Sequence, residues 1–109
     1  MKIHVDSRKG IVCLSLEGEL DHHAAAAAMK EIDGILDRLV PVDCALDLSG
    51  LSFMDSSGIA VILRINKRMQ ALGGRTAIMN PSAQPLRVLD ASGIDRLVRV
   101  VNTAKESAR

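Results

Sequence analysis

Leu51-Ser52-Phe53-Met54-Asp55-Ser56-Ser57-Gly58-Ile59 lies between an apolar extended run, Cys44 to Leu48, and a helical pattern over Ser57 to Leu72. In that pattern Ile62, Ile65, Met69 and Leu72 recur at helical spacing as a core stripe, while Arg64, Lys67, Arg68 and Ala71 fill the opposite face. Gly73-Gly74 supplies the stop. A strand that runs through a short loop into a helix is the unit from which parallel α/β sheets are built, so this stretch decides the fold class. It also sets Asp55, Ser56 and Ser57 at a helix end where N–H groups are free and the dipole is positive. One of these oxygens can cap the helix. A remaining hydroxyl can act as a nucleophile or accept a phosphoryl group.

Upstream, Lys2 to Val5 is a short extended run, Ser7-Arg8-Lys9-Gly10 a polar turn, and Ile11 to Leu16 a strand with Val12, Leu14 and Leu16 on one side. The pair predicts a hairpin. Glu17 to Asp21 reads as a break, with Asp21 placed to cap a helix over His22 to Leu39. Ala24 to Ala28 favours that helix, and Ile32, Ile35, Leu36 and Leu39 give it an apolar face before Pro41 stops it. In the next strand Cys44, Leu46 and Leu48 face one way, Ala45 and Asp47 the other. Downstream, Arg75 to Met79 predicts a strand. Asn80-Pro81-Ser82 opens a short helix that holds Pro85 in its first turn and ends at Gly93, and Leu97 to Val101 is a last strand. The tail, 102–109, lacks an apolar stripe and predicts a frayed end or weak helix. With right-handed crossovers, this order gives one α/β domain over 1–109. Its mixed sheet has about 4–5 strands, antiparallel at the first hairpin, with helices mainly on one face.

Composition narrows the function. With 48% hydrophobic and 1% aromatic residues, the core must be aliphatic. A net charge of +1 and the lack of aromatic platforms argue against nucleic-acid binding. No apolar run approaches the roughly 20 residues needed to span a bilayer, and no secretory apolar block follows Met1. Cys13 and Cys44 sit in apolar strands as buried thiols of a reducing compartment, so the chain is expected in the cytoplasm without a membrane partner.

A nucleophilic serine needs a base, and away from the N-terminus only His22 and His23 could supply one; the Gly-x-Ser-x-Gly elbow is absent. Those two histidines are adjacent on a helix and point about 100° apart, so they do not form a metal site. Met54, Met69 and Met79 fit an aliphatic core as gap-fillers. Arg64, Lys67 and Arg68 read as a solvated face. Ile59 and Leu63 lie beside the core stripe, at the same helix end as the serines, and form an apolar ledge suited to a protein partner.

Gly18-Glu19-Leu20-Asp21-His22-His23, Leu48 through Gly58, Gly73-Gly74 and Leu89-Asp90-Ala91-Ser92-Gly93-Ile94 together resemble the bacterial anti-sigma factor antagonists, which are single STAS domains. The likeness runs in order over nearly the whole chain, and is strongest to the sporulation branch in endospore-forming bacteria. It implies a monomeric partner-switching protein without a cofactor, not an enzyme. The unmodified form would bind an anti-sigma factor that is itself a serine kinase, with ADP or ATP bound to the kinase, and so release the sigma factor. Phosphorylation of Ser56 would switch binding off, and a 2C-type serine phosphatase would reverse it. The resemblance places Asp21, Asp55, Ser57 and Gly58 in the phosphosite loop and Asp21, Met54, Ser56, Ile59 and Leu63 at the partner surface. A STAS domain that regulates a membrane transporter without switching is the alternative. The tail, whose apolar residues are only Ala104 and Ala108, departs from the longer apolar helix usual in the family.

Overall fold

In the computed structural model, which describes residues 1–103, β1 (Lys2–Arg8) and β2 (Ile11–Leu20) form the expected antiparallel hairpin. The chain continues through α1 (His22–Leu39), β3 (Asp43–Asp47), β4 (Leu51–Met54), α2 (Ser56–Ala71), β5 (Thr76–Met79) and α3 (Ala83–Ser92) to β6 (Arg99–Val101). The sheet runs β1-β2-β3-β5-β6, parallel after the first pair, and β4 pairs with β2 off this path. The result is a six-stranded mixed sheet in an α/β fold. Alternation sorts the strands. Val12, Leu14, Leu16, Cys44, Leu46 and Ile78 are buried on the side that meets the helices. Ser15, Ala45 and Ala77, on the other side, are only half-buried. Ile32, Leu36, Ile62, Ile65, Met69 and Leu89 complete an aliphatic core. The C-terminal tail lies mostly outside the described residues; Thr103, within them, donates its backbone N–H to Asn80 Oδ1 at 2.8 Å.

Several boundaries differ from expectation, each for a physical reason. β2 does not break at Glu17 but runs on to Leu20, because it changes partner. Through Ser15 it pairs with β3; from Gly18 it pairs with β4, with a register shift between Gly18 and Glu19. Gly18 has φ +108°, a conformation that a side chain opposes, and this bulge re-aims the strand. β4 is the sixth strand, formed inside the stretch that reads as a loop. α2 ends at Ala71, so Leu72, expected in the core stripe, is exposed. Leu97 is exposed as well, since a 3₁₀ turn over Ile94–Arg96 delays the last strand to Arg99. Arg64 and Arg68 do not form a free solvated face. α1 and α2 lie side by side, and Arg64 pairs with Asp33 (3.0 Å) while Arg68 pairs with Asp33 (2.9 Å) and Asp37 (2.5 Å).

Candidate functional site

The site grows from the pairing of β2 with β4. The two strands run parallel with Leu20 opposite Met54, so the residues that follow them, Asp21 and Asp55, emerge side by side. The Asp55 N–H donates to the Leu20 carbonyl at 3.4 Å. Each aspartate then caps its own helix. Asp21 Oδ1 accepts from the Ala24 N–H (2.9 Å), and Asp55 Oδ1 accepts from the Ser57 N–H (2.8 Å). The second carboxylate oxygen of Asp55 reaches across to the other helix and accepts the His22 N–H at 3.1 Å. One carboxylate thus ties the N-termini of α1 and α2 together, and the positive ends of two dipoles converge on one corner.

Ser56 opens α2 at this corner and is exposed. Asp55 supplies the cap, so the Ser56 hydroxyl is left for other chemistry. Ser57 is half-buried, with its N–H already bonded to Asp55. Gly58 is buried against Met54: a Cβ there would lie 2.2 Å from Met54 Cγ and 2.7 Å from its Sδ. Any larger residue would force Met54 to shift, so glycine lets α2 seat closely on β4.

The sequence-expected residues divide cleanly. Asp21, Asp55, Ser56 and Ser57 gather at one corner, with Gly58 beneath it. Ile59 is half-buried against the core and Leu63, one turn on, is 39% exposed. Met54 is a correction: it is fully buried, and its side chain packs in the core out of reach of a partner. β4 does not alternate strictly: Leu51 and Met54 are inside and Ser52 and Phe53 outside, and Met54 is covered by α2, which seats Gly58 directly on its side chain. Phe53, 38% exposed and the chain's single aromatic residue, is the surface group that sequence reasoning missed. Its rarity was the available signal.

Two residues of α3 also escaped notice. The Gln84 amide brackets Met54, accepting its N–H (2.8 Å) and donating to its carbonyl (2.9 Å), which fixes the strand leading into the site. Arg87, exposed, lines a groove of about 490 Å³ between α2 and α3 with Ser56, Ile59, Gln84 and Val88. No sequence signal separates either residue from an ordinary surface position.

Among the described residues no group of three or more His, Cys, Asp or Glu side chains is placed to hold a metal, and the His22 and His23 rings meet edge to face at 5.8 Å. Cys44 is buried, and burial pushes its thiol up to about 12. Cys13, expected buried, is only partly covered because it points to the sheet face that carries no helix; burial and then Asp47 raise its thiol. No described helix is long and apolar enough to cross a membrane.

The STAS-domain profile matches residues 2–107. The anti-sigma F factor antagonist of Paenibacillus polymyxa is 32% identical over 100 residues, covering 92% of this chain and 86% of that one. Among solved structures, the anti-sigma factor antagonist SpoIIAA in its unphosphorylated form superposes with a TM-score of 0.81 at 29% identity, covering 98% of this chain and 92% of that one. The Bacillus cell fate determinant SpoIIAA in its phosphorylated form gives a TM-score of 0.70 at 28% identity, covering 99% of this chain and all of that one. With its strand order, its helix-capping corner and this likeness in agreement, the chain belongs to the STAS-domain family.

Proposed function

We propose that this protein is an anti-sigma factor antagonist that works by partner switching in the cytoplasm, and that Ser56 is its switch. The observation that carries the reading is an exposed serine hydroxyl at a helix N-terminus whose cap is already provided by Asp55. Unmodified, the corner presents a small neutral group flanked by Phe53, Ile59 and Leu63, a surface suited to a kinase-type anti-sigma factor carrying ADP or ATP. In the modifying step the γ-phosphoryl group of ATP passes to Ser56 Oγ, releasing ADP and the hydroxyl proton. The product carries about −1.5 to −2 charges beside Asp21 and Asp55. The two helix ends accommodate the anion within the fold, while a partner closing over it would have to desolvate it, at a cost of several kcal/mol. A 2C-type phosphatase restores the hydroxyl. Nothing in this cycle asks the chain to catalyse.

The test is incubation with ATP and a recombinant kinase-type anti-sigma factor, read by intact-mass analysis and by affinity. One phosphoryl group on the parent and none on Ser56→Ala is expected. Ser56→Asp should weaken kinase binding at least about tenfold, or roughly 1.4 kcal/mol, while Ser56→Ala should bind whether or not ATP is present. Equal affinity of parent, Ser56→Asp and phosphorylated protein would sink the reading and favour a non-switching interaction domain.

A further inference from the structure

We propose that Arg87 holds the phosphoryl group on Ser56, drawing it into the mouth of the groove between α2 and α3. The inference rests on the reading of Ser56 as phosphoacceptor and adds the cation that receives the charge. Several observations converge on Arg87. It lines the same groove as Ser56, whose other walls are largely apolar. It makes no ion pair or side-chain hydrogen bond among the described residues, unlike Arg64 and Arg68, which are tied to Asp33 and Asp37. The level along the helix is right too. Gln84 binds Met54, two residues before Ser56, so the first turn of α3 lies beside the start of α2. A helical side chain leans toward the N-terminus of its own helix, so Arg87, one turn after Gln84, reaches back toward that end.

The other charged groups near Ser56 cannot take this role. Asp21 and Asp55 are anionic and engaged as caps, and α1 brings only the imidazoles of His22 and His23. A guanidinium offers a planar fork matched to phosphate oxygens. Once paired, the phosphoryl group covers the apolar strip of Ile59 and Val88, so modification closes the groove as well as changing its charge.

The experiment installs phosphoserine at position 56 of the full chain by genetic encoding and titrates it by ³¹P NMR in the parent, Arg87→Ala, Arg87→Gln and Arg87→Lys. The second ionisation should lie below the usual value of about 6 in the parent and rise by roughly half a pH unit in Arg87→Ala, with Arg87→Lys between them. His22 and His23 are common to all four proteins, so the difference isolates Arg87. Coincident titration curves overturn the proposal, as does a shift equally restored by Arg87→Gln, which is uncharged. Because the phosphate is placed without a kinase, this result is independent of whether ATP modifies Ser56, which the transfer assay above decides.

Discussion

Replacing Asp55 should loosen two helices at once, and the size of the effect can be apportioned between its oxygens. Oδ1 accepts the Ser57 N–H at 2.8 Å and Oδ2 the His22 N–H at 3.1 Å, one at each helix start. Losing a cap costs about 1 kcal/mol, so Asp55→Ala, which orphans both donors, should cost about 2 kcal/mol. Asp55→Asn keeps one oxygen for Ser57 but turns an NH₂ group toward the His22 N–H. It should cost about 1 kcal/mol, all of it on the α1 side. Against a usual domain stability of about 5–15 kcal/mol these are measurable losses. The chain has no Trp or Tyr, so urea unfolding is best followed by far-UV circular dichroism, with amide exchange as the local probe. In Asp55→Asn the His22 amide should lose protection while the Ser57 amide keeps it. Equal stabilities for the two variants, or losses below about 0.5 kcal/mol in both, would refute the idea that one carboxylate joins the two helices.

Gly58→Ala should destabilise by about 1 kcal/mol, because overpacking against Met54 outweighs the gain in helix propensity. In a Met54→Ala background the same change should become neutral or stabilising, and additivity in urea melts would contradict the contact. Burial holds the Cys44 thiol up to about 12, so its contribution to stability is fully present below the ordinary thiol range. As pH rises toward 12, the unfolded thiol ionises first and stability should fall by about 1.4 kcal/mol per pH unit. Cys44→Ala should flatten that part of the alkaline stability profile, and an unchanged slope would count against it. Arg68→Ala should cost about 1 kcal/mol or less, and the loss should shrink at high salt, because its pairs with Asp33 and Asp37 are partly exposed.

The helices and the inward faces of the strands were legible because their patterns are local. The stripe of Ile62, Ile65 and Met69 and the alternation in Val12, Leu14 and Leu16 each follow from one element's own periodicity. What escaped depends on pairing. β4 offers only four residues, and Leu51-Ser52-Phe53-Met54 becomes a strand because β2 turns toward it at Gly18. A glycine after a glutamate reads equally well as a strand end or a bulge until the second partner is known. At the site, Asp55-Ser56-Ser57-Gly58 announced a helix start and an available hydroxyl. The bridge from Asp55 to His22 spans 33 positions, and the Gln84 bracket on Met54 spans 30, so neither leaves a local trace. Met54 was misplaced at the surface because its cover is Gly58 of α2, a contact between elements that no local periodicity announces.

The side chains of α3 that grip β4 have an implication for assembly. Gln84 occupies both the N–H and the carbonyl of Met54, and the Ser82 hydroxyl donates to the Leu51 carbonyl. An amide side chain here imitates one residue of a neighbouring strand, and so blunts an edge that could otherwise template pairing with another polypeptide. Association at this corner is therefore steered away from backbone augmentation and toward recognition by side chains, where a single esterified hydroxyl has the greatest leverage.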